Sequence, residues 1–404
     1  MINSNRIFFF ILIVFILSLA VVTCYRSGKD LKVGLFGVDQ VLHKKSPYEN
    51  PTDSNRPLFR YGPAFAIMQY PFMLTSRMVA PFEFEGILPS VFAWYMVEIL
   101  ALLASMLILL KLIPSPSESI GIRNIKLSFV LAMPLIAYEL ANGQNKLIAL
   151  FFMLLAIWLF EQKKALLAAV SFSLALTVYI ALFPFVLYFI LRSRGRFIFS
   201  LIAGAFIIFI LIPSVVFGIR FNNFLLKEWF VRCLKPFLLT TSYTTYMELR
   251  SSSQSLPSAL GRIFIWGRTG SYKYLISPQS VHLIIRAVSA TIILLSCLAV
   301  WKQPKEISRG LSYLVFLPLG LMMPSYCIWY TWAWLFVFYF AIFNYVGYPQ
   351  VAVWQKKLLI ALAIAMVIAS YSIVVGPLNN ISVLCWATVL LWAGTVTVLI
   401  KNSA

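Results

Sequence analysis

The sequence predicts an all-α polytopic membrane protein, and three observations support this fold class. Of the 404 residues, 61% are hydrophobic and only 11% are charged, whereas soluble domains carry about 25% charged residues. Hydrophobic runs of about 20 residues, the length of a spanning helix, recur from Ile7 to Ile400 with short polar breaks. These runs do not alternate between apolar and polar residues, as the strands of a membrane barrel would. A bundle of helices that crosses the bilayer many times is therefore expected.

Each hydrophobic run is a candidate span, and the candidates are 7–25, 88–111, 126–142, 145–161, 165–192, 197–218, 281–301, 310–326, 328–346, 356–376 and 380–400. Whether the run 165–192 forms one span or two decides the number of spans. As one helix it would place the arginines of 192–196 on the face opposite Lys163 and Lys164, against the preference of short basic loops for the cytoplasm. A break near Pro184 restores that preference, and the sequence then predicts about 11–12 transmembrane helices.

This threading places both termini on the cytoplasmic side of the cell (inner) membrane. Two long segments, 26–87 and 219–280, then lie on the extracytoplasmic side, and the whole chain, 1–404, is expected to form a single integral membrane domain. The run from Ile7 to Cys24 is similar to a secretory signal, but it exceeds the usual length of about 15 residues and no A-x-A site follows it. A retained first span is therefore favoured.

The charge balance indicates anionic partners. The chain has 33 Lys plus Arg against 13 Asp plus Glu, and the positive charges are scattered through short loops between spans. This pattern favours anionic lipid head groups or phosphates over nucleic acid. The five cysteines form no CxxC pair, so neither a zinc site nor a disulfide framework is indicated. The sequence does not indicate an oligomeric state.

The two outer segments combine positive charge with aromatic residues, among them Tyr61 and Phe65 in the first and Trp229 and Trp266 in the second. Solvated loops explain most of these charges individually. Collectively, segments this long and this apolar are more typical of amphipathic pieces on the membrane surface with a cleft between them. Such a cleft suits a ligand with a lipid tail, a phosphate and a sugar.

Asp30 is the leading catalytic candidate. It follows the first span by five residues and lies between Lys29 and Lys32. An ionised carboxylate in this position can act as a general base. From the local sequence alone, an exposed loop aspartate remains the alternative.

Two carboxylates fall within hydrophobic runs. Glu98 lies near the middle of its run, where an ionised group is costly and usually faces a partner or a cavity. Glu139 precedes Asn142-Gly143-Gln144-Asn145, and together with Tyr138 these residues can line a sugar site. The alternatives are a protonated glutamate that packs the bundle at Glu98 and an Asn-Gly helix cap after Glu139.

The wider pattern resembles a known family. Asp30 is followed by Pro47-Tyr48, then by Phe59-Arg60-Tyr61-Gly62-Pro63-Ala64-Phe65, then by Pro71-Phe72. This order is similar to the opening D…G-x-x-P-Y…Y-x-P-L-F…P signature of glycosyltransferase family 87, the polyprenyl-phosphate-mannose-dependent mannosyltransferases of the GT-C type. Gly143-Gln144-Asn145-Lys146 resembles the G-Q-x-N turn of that family, and Gln254-Ser255-Leu256 with Arg262 resembles its N-Q-S-L…R segment.

The resemblance implies an inverting transfer of a sugar, mannose in relatives, from a polyprenyl-phosphate donor to a lipid-linked or glycan acceptor at the outer face, with Asp30 as general base. It implies no cofactor and no metal. The residues expected to bind substrate are Lys29, Lys32, Tyr48, Arg60, Tyr61, Glu139, Gln144, Asn145, Gln254, Ser255 and Arg262.

Two positions depart from the family pattern. The Lys of its K-x-x-P segment falls at Ala181, and the His of its W-x-H segment falls at Thr331. His282 is a possible substitute, although an interfacial histidine explains it as well, and His43 is expected to be a solvated loop residue.

Two other functions remain open from the sequence. A transporter or flippase of lipid-linked sugars predicts internal repeats and charges within the spans, and no repeat is visible. A lipid-linked glycan polymerase or ligase also has about a dozen spans and a large basic outer loop. Such an enzyme does not need a carboxylate directly after the first span, so Asp30 is the discriminating residue.

Overall fold

The computed structural model describes residues 4–25, 28–48, 59–80, 83–235, 253–268, 271–301, 306–324, 327, 329–372 and 382–403. Residues 49–58 of the first predicted outer segment and 236–252 of the second lie outside the described residues. Within the described ranges, helices form nearly all of the regular structure, and the predicted all-α class is confirmed.

The elements of the first half, in chain order, are α1 (Ser4–Tyr25), α2 (Lys29–Leu42), α3 (Pro63–Met73), β1 (Arg77–Ala80), β2 (Glu83–Glu85), α4 (Ile87–Leu112), α5 (Glu118–Ala141), α6 (Lys146–Glu161), α7 (Ala165–Val178), a 3-10 turn (Ile180–Leu182), α8 (Phe185–Ser193), α9 (Ile198–Ala205), a π-helical stretch (Phe206–Leu211), α10 (Ile212–Phe217), α11 (Ile219–Trp229) and a second π-helical stretch (Phe230–Leu234).

The remaining elements are α12 (Leu256–Phe264), β3 (Ile265–Arg268), β4 (Ser271–Tyr274), α13 (Pro278–Trp301), a 3-10 turn (Glu306–Ser308), α14 (Arg309–Met322), a 3-10 stretch (Trp329–Trp334), α15 (Leu335–Val346), α16 (Val353–Ser372) and α17 (Val383–Ser403).

Within the described ranges, six helices are long and apolar enough to cross a membrane: Ile87–Leu112, Glu118–Ala141, Ile198–Phe217, Gln279–Trp301, Val353–Ser372 and Val383–Asn402. A seventh candidate is the pair Leu12–Tyr25 and Asp30–Leu42, which passes the same test with a bend of 55°. Shorter apolar helices cover Ala165–Val178, Ile180–Ser193 and Thr331–Val346. The chain is thus an integral membrane protein with many spans, and the count of 11–12 stays a prediction.

The structure defines the bounds of two predicted spans more closely than the sequence does. The run 165–192 is interrupted between Val178 and Phe185, close to Pro184, as the distribution of basic residues predicts. Helix α5 begins at Glu118, eight residues before the predicted start of its span. Its polar first turns stay helical because Asn124 is buried and donates to the Asn344 side-chain oxygen at 2.8 Å.

In the part of the chain that the structure describes, two antiparallel pairs of short strands interrupt the helices, and the hydrophobic pattern did not predict them. Strand β1 pairs with β2, with Arg77 opposite Glu85 and Met78 opposite Phe84. Strand β3 pairs with β4, with Ile265 opposite Tyr274. Strands of three or four residues are too short to produce a recognisable alternation in the sequence.

The described residues group into two compact units. Unit 1 comprises residues 1–108, 136–180 and 199–235, and unit 2 comprises 109–135, 181–198 and 236–404. Each is described by itself below, and the single membrane domain stays a prediction.

Unit 1 uses glycines to bring its helices close together. A Cβ at Gly37 of α2 would lie 2.2 Å from the Phe59 ring, and one at Gly204 of α9 would lie 2.5 Å from the Ala169 backbone of α7. Only a residue without a side chain permits such approaches. Helix α2 therefore packs closely on α3 and on the buried aromatic cluster that includes Phe59 and Phe65.

Unit 2 packs α17 against α12, α13, α14 and α16, and α8 against α13 and α14. A closed ring of hydrogen bonds ties three elements together at one end. Tyr345 donates to Gln355 at 2.9 Å, Gln355 donates to Asn402 at 2.8 Å, and Asn402 donates back to the Tyr345 hydroxyl at 2.7 Å.

Candidate functional site

Asp30 lies in the first turn of α2, next to the turn that follows α5. Its backbone N–H donates to the Asn142 carbonyl at 3.1 Å. Gly28 and Gly143 have positive φ angles of 51° and 62°, and a Cβ at Gly143 would come within 3.4 Å of the Gly28 Cα. These glycines allow the two turns to meet. The half-buried Asp30 side chain is therefore held within electrostatic range of Glu139, near the end of α5.

Glu139 is fully buried, and its two oxygens have different surroundings. Oε1 accepts the backbone N–H of Lys146 at 3.0 Å. Oε2 has no hydrogen-bond partner among the described residues. The Glu139 carbonyl also accepts the N–H groups of Asn142 and Gln144, both at 3.3 Å. The predicted Asn-Gly cap is thus present, and it coexists with a buried carboxylate oxygen that has no hydrogen-bond partner among the described residues.

Lys146 begins α6 and places its ammonium among aromatic rings. The Nζ atom lies 4.4 Å from the centroid of the Tyr179 ring and 5.8 Å from that of Tyr61. Its charge also acts on the Glu139 carboxylate. Aromatic faces attract a cation without neutralising it, so the ammonium keeps its charge beside these rings.

Tyr61 is surrounded by charged groups. Asp30, Glu139 and Arg60 all act on its hydroxyl, and Asn145 lies next to it. Burial raises the pKa of Tyr61 above its ordinary value, and Asp30 and Glu139 raise it further, whereas Arg60 opposes this rise. The hydroxyl therefore stays protonated at neutral pH and can donate a hydrogen bond. The ring is fixed by Phe65, whose centroid is 4.2 Å away.

Further buried side chains of unit 1 carry polar atoms without hydrogen-bond partners among the described residues, and Gln69, Glu98 and Thr177 are among them. A Cβ at Gly34 of α2 would lie 3.1 Å from the Gln69 amide, and Glu98 lies within electrostatic range of Glu139 and Asp30. An unpaired buried polar group costs about 1–3 kcal/mol. Such a concentration of unpaired groups indicates a place that a polar ligand or water completes.

The other predicted residues of unit 1 have varied surroundings. Tyr48 is fully buried and donates to the Tyr61 carbonyl at 2.9 Å, so it fixes the Tyr61 backbone. Arg60 is exposed, and its carbonyl accepts the Trp229 indole N–H at 3.2 Å. Lys32 is half-buried on α2, Gln144 is buried in the turn after α5, and the Lys29 side chain lies outside the described residues.

Gln254, Ser255 and Arg262 belong to unit 2, where the first two directly precede α12 and Arg262 lies in its last turn. The Gln254 N–H donates to the Cys327 carbonyl at 2.7 Å. Ser255 caps the helix by accepting the Ser258 N–H at 3.3 Å. Arg262 donates to the Ser253 carbonyl at 2.7 Å and to the Ser382 hydroxyl. Burial lowers the pKa of Arg262 to about 10, so its guanidinium remains charged at neutral pH.

The two positions that depart from the family pattern, Ala181 and Thr331, belong to unit 2, as does the possible substitute His282. Ala181 and Thr331 are buried, and His282 is half-buried in α13. His43 is largely exposed after the end of α2, and its Nδ1 lies 2.9 Å from the Asp39 carbonyl.

Unit 1 therefore brings together Asp30, Tyr61, Glu139 and Asn145 of the predicted set and adds Lys146. This group provides a carboxylate, a protonated hydroxyl, an amide and a cation, which are the side chains that proton transfer and phosphate binding require. Lys146 was not among the predicted site residues. Its signal in the sequence was its place directly after Gly143-Gln144-Asn145, where a lysine opens an otherwise apolar helix.

Comparison with known proteins identifies one family. The family model of glycosyltransferase family 87 matches residues 59–324, about two thirds of the chain, which confirms the resemblance found in the sequence. Tyr61, Glu139, Asn145 and Lys146 fall within the matched range, and Asp30 precedes it. No curated protein matches the chain.

Proposed function

Because the chain belongs to glycosyltransferase family 87, we propose that this membrane glycosyltransferase uses a polyprenyl-phosphate sugar as donor. The donor sugar is a hexose, mannose by the resemblance, and the acceptor is a lipid-linked or glycan hydroxyl. The observation that carries this proposal is the convergence of Asp30, Tyr61, Glu139 and Lys146 in unit 1.

The proposed reaction is a single displacement that inverts the anomeric carbon. The acceptor oxygen attacks this carbon on the face opposite the phosphate, and the bond between the carbon and the phosphate oxygen breaks. Its electron pair leaves with the polyprenyl phosphate. The proton of the acceptor hydroxyl passes to Asp30, and the Lys146 ammonium stabilises the charge that develops on the leaving phosphate.

Asp30 is favoured over Glu139 as the base by the surroundings of the two carboxylates. Glu139 is fully buried, and one of its oxygens already accepts the Lys146 N–H at 3.0 Å. It is better suited to position Lys146. Asp30 is half-buried, so an acceptor can approach it.

Lys146 can also replace the lysine of the family pattern that is missing at Ala181. In unit 1 its ammonium lies over the ring of Tyr179, two residues before Ala181 in the sequence. We propose that Lys146 supplies a cation in place of the lysine that the family pattern carries in its K-x-x-P segment.

The proposal also states at which face of the membrane the site lies and whether the reaction uses a cofactor. The site lies at the extracytoplasmic face of the cell membrane, with both termini in the cytoplasm, as the distribution of basic residues predicts. The reaction uses no metal or other cofactor, since leaving-group charge is met by side chains.

Transfer of radiolabelled sugar tests the proposal. Purified full-length protein in detergent is supplied with extracted membrane lipids and one of three donors: polyprenyl-phosphate-mannose, polyprenyl-phosphate-glucose or a nucleotide-linked mannose. We expect label to enter the lipid or glycan fraction from polyprenyl-phosphate-mannose alone, with inverted anomeric configuration. Equal transfer from the nucleotide sugar would contradict the donor class, and transfer from the glucosyl donor alone would contradict mannose.

A further inference from the structure

Unit 1 contains an apolar groove that the proposed reaction does not use. It has a volume of about 310 Å³ and lies between α2, α3 and the end of α10. Its lining is aliphatic and aromatic, with Val41, Ile67 and Val216 on its three sides. This volume is within the range of about 300–1,000 Å³ that is typical of ligand pockets.

The groove lies at the level where a membrane span ends. The candidate span Ile198–Phe217 ends at the groove, and Gly218, with a φ of 86°, redirects the chain into α11. Val215 and Val216 remain 78% and 55% exposed. Exposed aliphatic side chains on a spanning helix face the acyl chains of the bilayer, so lipid can enter the groove laterally.

One cation is fixed at the groove. The Lys44 ammonium donates to the Phe217 carbonyl at 3.0 Å and lies 5.0 Å from the centroid of the Phe221 ring. An ammonium has three donors, and the contact with Phe217 uses one of them. An apolar groove with a lysine at its end matches a molecule that has a hydrocarbon chain and an anionic group.

Helix α11 extends this positive surface along the membrane interface. Its buried stripe is formed by Asn222, Leu225 and Trp229. Arg220 and Lys227 are exposed, and a separation of seven residues places them on one face of the helix. A row of cations on an interfacial amphipathic helix is typical of binding to anionic lipid.

The position of Lys44 argues against the donor as the ligand. In the proposed reaction the donor phosphate is bonded to the anomeric carbon and must lie beside Asp30 and Lys146. Asp30 lies in the first turn of α2 and Lys44 lies two residues past its end at Leu42, and the twelve helical steps from Asp30 to Leu42 span about 18 Å at 1.5 Å per residue. Bilayer phospholipid, which surrounds the exposed span at high concentration, satisfies both the groove and the cation.

We propose that the groove binds one acyl chain of an anionic bilayer phospholipid, with the lipid phosphate on the Lys44 ammonium. The ligand is separate from the substrates of the glycosyltransferase. It contacts α2 at the end opposite Asp30, and it joins that helix to the last turn of the span that ends at Phe217.

Native mass spectrometry tests this site without reference to sugar transfer. Full-length protein in detergent is mixed with equal amounts of phosphatidylglycerol and phosphatidylcholine that carry the same acyl chains. We expect the wild type to retain phosphatidylglycerol preferentially. Lys44→Gln should lower this retention by about fivefold, the effect of one lysine near an anionic surface, and Lys44→Arg should restore it.

Two further variants keep the result interpretable. Ile67→Trp fills the groove and should lower retention of both lipids, whereas Lys163→Gln, which removes an exposed lysine from the turn after α6, should leave retention unchanged. Equal retention of phosphatidylglycerol by the wild type, Lys44→Gln and Ile67→Trp would overturn the proposal. Displacement of the phospholipid by polyprenyl phosphate would also overturn it, since the groove would then belong to the donor. Because the measurement needs no catalysis, it stands or fails independently of the proposed function.

Discussion

The two units each contain a polar cluster that the sequence marks as functional, and the clusters differ in how far their side chains bond to one another. In unit 2, Ser253, Ser255, Ser258 and Arg262 bond to one another, to Ser382 and to the backbone. In unit 1, one oxygen of Glu139 and the side chains of Gln69 and Thr177 have no such partners among the described residues.

This difference indicates different roles. A cluster whose members bond to one another fixes the local fold, and it loses stability when a member is removed. Buried polar atoms without hydrogen-bond partners lower the stability of the fold. Such atoms are usual where a ligand supplies the missing partners. We therefore propose that the chemistry lies in unit 1 and that the bonded side chains of the α12 cluster in unit 2 mainly hold the local fold.

Replacing Lys146 should give the largest loss of sugar transfer among the three substitutions that test this comparison. Lys146→Met keeps the length of the side chain over Tyr179 but removes the charge. We expect kcat to fall by about 100-fold, the effect of losing one group that stabilises transition-state charge, as measured by transfer from polyprenyl-phosphate-mannose. Lys164→Met makes the same change at an exposed position and should transfer sugar normally. Full activity in Lys146→Met would remove this residue from the site.

Tyr61 should give an intermediate effect. Tyr61→Phe keeps the ring against Phe65 and removes only the hydroxyl, so we expect transfer to fall by about tenfold, the effect of one hydrogen bond to a charged group. The pKa of Tyr61 is raised above its ordinary value of 10.0, so the hydroxyl is protonated below that pH. The ratio of wild-type to variant rates should therefore stay constant from about pH 6 to 9. A ratio that collapses within this range would indicate that Tyr61 titrates.

Ser382 should affect transfer least. Ser382→Ala removes an acceptor of the buried Arg262, which should destabilise the protein by about 1–2 kcal/mol and lower Tm, while the rate per folded molecule stays unchanged. Thermal unfolding and the transfer assay on the same preparation measure both quantities. A large loss of transfer at unchanged Tm would mean that the α12 cluster also acts on substrate, and the contrast between the units would fail.

Much of the fold follows from the hydrophobic pattern because burial in lipid requires long apolar helices. The distribution of basic residues predicted the interruption near Pro184, because the lysines before the run and the arginines after it are both expected on the cytoplasmic side. The hydrophobic pattern did not predict the early start of α5, since the buried contact between Asn124 and Asn344 joins residues 220 positions apart. It also missed the two strand pairs, which are too short for a periodic signal.

The site was predictable only in part. Asp30, Tyr61, Glu139 and Asn145 were identified from their residue types and order, and the structure places them together. Two facts require three-dimensional contacts: the bond from the Asp30 N–H to the Asn142 carbonyl, and the position of the Lys146 ammonium among the rings of Tyr61 and Tyr179. No local pattern shows that Ser255 and Arg262 are engaged with neighbours in unit 2.

The most direct test of the central claim compares two aspartates of the same helix. Asp30→Asn and Asp39→Asn each remove one carboxylate charge from α2, and only Asp30 lies beside Glu139 and Tyr61. With purified protein and polyprenyl-phosphate-mannose, we expect Asp30→Asn to lose at least about 100-fold in kcat, the contribution of a general base. Asp39→Asn should retain activity close to that of the wild type. Equal transfer by Asp30→Asn and the wild type would contradict the assignment of the base and, with it, the proposed reaction centre.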